Sequence, residues 1–164
     1  MRIAFAMRIA LAAVVVFCGV PSVAGADPAE TCAKIGNDDT VRAYQRSLRQ
    51  GFMRAFKALF PDAKGGVSDP LFRDQAAFRC MDGKLYACFT GANLPCGKIS
   101  TVRENAAVER YCAAAGTTDF VPLYVSGHDS AYSYRCEGGH AAVSAEQWTL
   151  DKRGFAAKLW APMD

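Results

Sequence analysis

Two cysteines, Cys88 and Cys96, bracket Gly-Ala-Asn-Leu-Pro in the stretch YACFTGANLPCGK, residues 86–98. Thiols so placed can exchange electrons, supply half of a metal site, or close a covalent ring around the loop. Redox pairs favour Cys-x-x-Cys, and zinc sites favour closely spaced Cys or His pairs; the chain has neither pattern. A ring between Cys88 and Cys96 would remove denatured-state entropy worth roughly 2–3 kcal/mol and hold Gly91, Asn93 and Leu94 at a fixed tip. Two readings of that loop stay open: a rigid binding tip that needs little ordering on contact, or a loop that only closes the fold.

The second chemical stretch is SGHDS, with His128 beside Asp129, Ser126 and Ser130. A triad is a spatial arrangement, and adjacent residues on a turn rarely form one. His128 with Asp129 is therefore a candidate acid–base pair or binding tip, against the simpler reading that Gly-His-Asp shapes a turn. His140 would give His128 a companion for a metal, but no third ligand is evident, so neither metal nor other cofactor is expected. No phosphate-cradling glycine motif accompanies these residues.

The compartment decides what the cysteines do. Arg2 and Arg8, the apolar run from Ile9 to Val20 and the small residues up to Ala26 read as a cleaved signal peptide, residues 1–26. Residues 27–164 then form a single exported domain, periplasmic or secreted. Cys18 leaves with the leader, and an even set remains: Cys32, Cys80, Cys88, Cys96, Cys112 and Cys136. In an exported chain such a set reads as disulfides. Arg2 and Arg8 leave too, so the 19 basic residues fall to 17 against 16 acidic ones. That balance argues against nucleic acid as a partner.

These residues need elements to hold them. Asp38 or Asp39 as cap, Pro61 as stop, and apolar steps at Val41, Tyr44, Leu48, Phe52, Phe56 and Leu59 predict a helix over about 39–60. Its other face carries Arg42, Arg46, Arg49, Arg54 and Lys57, either solvated or facing anionic lipid or glycan. Residues 61–70 read as a linker, and 71–164 as a hairpin, helix and hairpin sheet. AFRCMDGKLYACF is a hairpin turning at Asp82-Gly83. FRCMDG, residues 78–83, matches YRCEGG, residues 134–139, which hints at an internal duplication. Thr101 with Glu104 suggests a capping box for a second helix that stops at Gly116 with Cys112 inward. An edge strand is expected over Phe120–Ser126, because Pro122 cannot donate to a ladder, then a strand over Ala131–Cys136 and a last hairpin turning at Asp151–Gly154. The class is α+β: an antiparallel sheet built from hairpins, with two packed helices and disulfide staples.

Hairpin register constrains the pairing. Cys80 faces Leu85 and Ala77 faces Cys88, so Cys80 and Cys88 lie on opposite faces of the sheet and should not bond. Cys96 lies before the first turn of the second helix and Cys112 near its last, roughly 15 Å apart and too far for one bridge unless the chain doubles back. If the matching hairpins are neighbours, Cys80 meets Cys136, leaving Cys88 with Cys96 and Cys32 with Cys112.

RCMDGKLYACFTGANLPCGK followed by VSGHDSAYSYRC resembles small exported cysteine-rich proteins of Gram-negative bacteria, the alphaproteobacterial kind above all, over Cys32 to Trp160. The Phe/Tyr-x-Cys strand start with its Gly turn is also similar to that of periplasmic lysozyme inhibitors. The resemblance implies a periplasmic setting and carries no activity, cofactor or catalytic residue. The expected function is a binding module, or an inhibitor, acting on an envelope protein or glycan. A small envelope hydrolase using His128 with a carboxylate, and an envelope-associated structural protein using the basic helix face, are the alternatives.

Overall fold

In the hairpin Met81 pairs with Lys84, Cys80 with Leu85 and Ala77 with Cys88, as the two-residue turn requires. Asp82 and Gly83 both adopt positive φ (49° and 78°), the geometry that matches strand twist. The computed structural model describes residues 26–164 except Gly66 and Ala92, so the expected leader, apart from Ala26, lies outside the described residues. Its strands are β1 (Asp38–Ala43), β2 (Ala76–Met81), β3 (Lys84–Phe89), β4 (Tyr132–Glu137), β5 (His140–Glu146) and β6 (Ala161–Pro162). Its helices are α1 (Pro28–Ile35), α2 (Arg49–Leu59), α3 (Asp69–Gln75), α4 (Ala106–Ala115) and the short α5 (Leu123–Ser126). One antiparallel sheet runs β1-β2-β3-β6, and β4 and β5 form a second. The α+β class stands, but with two sheets in place of one.

Four elements differ from expectation for local reasons. The helix expected over 39–60 splits, because Asp38 pairs with Cys80 and Arg42 with Phe78 in a strand, and only Arg49–Leu59 is α-helical. Val41, counted on the buried helix face, is in fact 38% exposed on that strand. The linker 61–70 yields at its end to α3, where Ser68 caps by accepting from the Leu71 amide and Pro70 stands in the first turn. The strand expected over Phe120–Ser126 is instead α5 after Pro122, whose fixed φ suits the residue before a first turn. The cap of α4 is Asn105, accepting from the Ala107 and Val108 amides at 3.0 and 3.2 Å, not Thr101. The turn at residues 151–154 does form, and Leu150 bridges Ala156 across it.

The repeated arrangement extends beyond the hairpins. In the first unit α1 ends at Gly36, whose amide donates to the Cys32 carbonyl at 2.9 Å; in the second α4 ends at Gly116, donating to Cys112 at 2.9 Å. Asp38 then pairs with Cys80, and Thr118 with Cys136. Gly83 donates to the Gly36 carbonyl and Gly139 to that of Gly116, both at 2.8 Å. Each unit is closed by its own bridge, Cys32–Cys80 and Cys112–Cys136, each with Cα atoms 5.1 Å apart. The expected pairs Cys80–Cys136 and Cys32–Cys112 are therefore incorrect, because the matching hairpins lie in separate sheets and each meets the helix that precedes it. Cys88–Cys96 is present as expected. The bridges span 48 and 24 residues, and the extra length in the first unit holds α2 and α3. Those two helices lay Phe52, Phe56 and Phe72 against Phe78 and Phe89, with ring centroids 5.2–6.4 Å apart in tilted or edge contacts.

Candidate functional site

The four-stranded sheet has a second face. Period two turns Phe78 and Cys80 toward the helices and Arg79 the other way, among Met81, Tyr86 and Cys88. Arg79 is wholly buried there. Its guanidinium carbon lies 3.8 Å from the centre of the Phe155 ring and 4.7 Å from that of Trp160, so two aromatic faces hold the cation. Nη2 donates to the Asp151 carboxylate, while Nε and Nη1 meet no protein acceptor. Burial pushes the Asp151 carboxyl up, but the Phe155 and Arg153 amides and the Arg79 guanidinium outweigh it and hold it below the usual carboxylate range.

Cys88 and Cys96 are buried directly against Phe155 and Trp160. Their bridge thus supports the aromatic walls around Arg79, a use the loop reading did not anticipate. Above Arg79 and Asp151 opens a cleft of about 500 Å³, bounded by Asn37, Met81 and Asp82 on one side and by Leu150, Lys152 and Arg153 on the other. Its charged rim is already tied. Asn37 Nδ2 donates to Asp82 Oδ1 and the Asp82 amide donates back to Asn37 Oδ1, both at 3.2 Å. Asp39 accepts from Arg153 and pairs with Lys98 at 2.7 Å, and these cations, Arg153 foremost, draw its pKa from 3.8 to about 2. Lys152 is exposed and makes no ion pair among the described residues.

The residues singled out from sequence are scattered. His128 and Asp129 are exposed on the turn after α5, with no hydrogen bond between them among the described residues, and Asp129 contributes its carbonyl to the Ser100 amide at 2.7 Å. His140 instead pairs with Glu109, Nδ1 to Oε1 at 2.8 Å. Among the described residues no group of three or more His, Cys, Asp or Glu is placed to hold a metal ion. Gly91 and Leu94 exchange backbone hydrogen bonds at 3.3 Å, a tight tip that leaves Asn93 exposed. The basic residues do not form one free face. Arg42 pairs with Asp38, Arg46 and Arg49 share Asp69, and Arg54 donates to the Met163 carbonyl; for Lys57 no partner occurs among the described residues. No helix among the described residues is long and apolar enough to cross a membrane.

Sequence reasoning passed over Arg79 although its motif was noticed. The signal was the face: on one side of β2 the neighbours of Arg79 are Ala77 and Met81, and a cation between apolar residues on a strand is a buried one in need of partners. It also missed Phe120 and Tyr124, which are 63% and 79% exposed, because they were assigned to a strand. No family model, curated protein or solved structure matches the chain. Three disulfides are the mark of an oxidising, exported environment.

Proposed function

We propose that the protein is a periplasmic or secreted binding module that recognises an envelope protein or glycan through the cleft over Arg79, with inhibition of an envelope enzyme as its narrower form. The observation that carries this reading is the Arg79 clamp. A wholly buried cation, two aromatic walls, a carboxylate and a disulfide behind them give the cleft a floor that has nothing left to order when a ligand arrives. The signal-peptide reading of residues 1–26 and the resemblance to exported cysteine-rich proteins support the compartment.

The test is retention from envelope extract on the immobilised, oxidised domain, comparing the native chain with the rim variants Lys152→Glu and Asp82→Lys. One component held by the native chain and lost from both variants is the expected result. Equal retention by all three would remove the cleft from the account. Turnover of an envelope polymer that disappears in a folded His128→Ala variant would replace binding by hydrolysis.

A further inference from the structure

The first unit buries both strands of its hairpin; the second buries β4 and leaves β5 part-exposed. Leu85, Ala87 and Phe89 of β3 are buried under α2 and β6, whereas their counterparts Ala141, Val143 and Ala145 of β5 are part-exposed or exposed. Where the first unit has its cover, the second has a cleft of about 510 Å³ floored by Ala141, Val143 and Tyr134 and walled by Ala106 at the start of α4. The same unit carries unburied aromatic side chains, Phe120 and Tyr124, spaced four apart around the start of α5. Their segment is tied to the elements that line the cleft. Val121, next to Phe120, donates to the Tyr134 carbonyl at 3.0 Å, and Asn105 at the cleft wall donates to the Ser126 carbonyl at 2.8 Å.

We propose that the protein forms a two-fold dimer in which Phe120 and Tyr124 of each copy enter the cleft over Ala141 and Val143 of the other. A two-fold contact needs knob and hole on one surface, so that each copy gives and receives the same contact. Both lie on the second unit. Charge fits as well: Arg103 and Glu104 stand at the cleft, Asp119 and His128 flank the aromatic residues, and none of the four makes an ion pair among the described residues. In the dimer Arg103 of one copy faces Asp119 of the other. Four aromatic side chains, each worth roughly 150–250 Å² when fully buried and still 63% or 79% exposed, supply about a third of a standard interface.

Sedimentation velocity of the oxidised domain, from low micromolar to millimolar protein, reads the result. A concentration-dependent dimer is expected. Phe120→Ser with Tyr124→Ser should weaken it by roughly tenfold or more, and both sites are exposed enough to leave the fold intact by circular dichroism. Arg103→Asp alone and Asp119→Arg alone should each weaken it, and the two together should restore it. A monomer throughout the range overturns the proposal. So does a dimer indifferent to the aromatic variants, or one that the charge exchange does not rescue.

Discussion

Arg79 and Arg135 occupy the same place in the two units, each between an aromatic residue and a bridged cysteine, and they have opposite fates. Arg79 is wholly buried between Phe155 and Trp160; the Arg135 side chain is 42% exposed and pairs with Glu137 at the surface. The edges differ in the same way. On the outer edge of β3 the Leu85 carbonyl accepts from the Met163 amide at 2.9 Å, as β6 adds a strand. On β5 the matching residue Ala141 gives its amide to Glu109 at 2.8 Å, and no strand lies beside it among the described residues. One helix–hairpin unit, used twice, is closed over where helices, a strand and an aromatic turn pack on it. It keeps a part-exposed second strand where they do not. The disulfide and the glycine turn define the unit, and what is packed on it defines its use.

The strongest way to break the comparison is to remove the bridges one at a time. In the chain-entropy model, loss of Cys32–Cys80 costs about 4 kcal/mol, Cys112–Cys136 about 3.5 and Cys88–Cys96 about 2.5, following their 48-, 24- and 8-residue spans. Urea unfolding of the paired Cys→Ser variants should return that order. Hydrogen exchange should separate the units further. Without Cys112–Cys136 the β5 amides should open before the rest, since β5 is part-exposed and no further strand pairs with it among the described residues; without Cys32–Cys80 the aromatic packing of α2 and α3 should keep β2 and β3 protected until global unfolding.

Next in size is the arginine pair. Arg79→Met leaves the part-buried Asp151 carboxylate without its cation, at an expected cost of about 2 kcal/mol, below the range for a fully buried pair because two amides still hold it. Arg79→Lys should recover little, since an ammonium does not stack flat between two rings. Arg135→Met should stay within about 0.5 kcal/mol by denaturant titration. Equal losses at the two sites would mean that the aromatic clamp contributes nothing.

Acid should loosen β1 at the edge of the first sheet. Asp38, through Arg42, and Asp39, through Arg153 and then Lys98, have pKa values drawn from 3.8 to about 2. A folded-state pKa below the unfolded one contributes stability that is present above pH 3.8 and is lost as pH falls through about 2. Both groups are on β1, so its amides should lose protection between about pH 4 and 2. Amide exchange across that window checks it, and Asp39→Asn should flatten the response.

How much of this was legible in the sequence follows from where each signal resides. Hairpin register, the Cys88–Cys96 bridge, the inward Cys112 and the stop at Gly116 are local, fixed by turn chemistry and side-chain period, and they were readable. The pairing of Cys32 and Cys112 depended on recognising that CAKIG, residues 32–36, and CAAAG, residues 112–116, repeat just as FRCMDG and YRCEGG do. The hairpin half of the repeat was noticed and the helix half was not. Residues 38–43 have spacing that suits helix or strand, and only their pairing with β2, pinned by the first bridge, decides between them. The Arg79 site draws Phe155 and Trp160 from the far end of the chain, a juxtaposition that periodicity does not encode.

The smallest test transplants a turn. The hairpins turn at Asp82-Gly83 and at Gly138-Gly139, with positive φ at all four residues, and the second lacks a side chain at its first position. In the first unit the Asp82 amide donates to Asn37 Oδ1; in the second the Gly138 amide donates to Thr117 Oγ1, also at 3.2 Å, so even the residue that supports the turn is duplicated. A Cβ on Gly138 would meet nothing within 4 Å, and its φ of 57° lies where Asp and Asn are tolerated. Gly138→Asp should therefore change the stability of the second hairpin by no more than about 0.5 kcal/mol, because strain at positive φ offsets the freedom that the denatured chain loses. Adding Thr117→Asn restores the reciprocal bond of Asn37 with Asp82 and should add a few tenths more, about the scale of one exposed side-chain contact. Gly139→Ala, at φ 89°, should instead destabilise by about 1 kcal/mol. Thermal melts of the three variants give the signs directly. A loss at Gly138→Asp as large as that at Gly139→Ala would show that the two turns do not accept the same side chain at their first position.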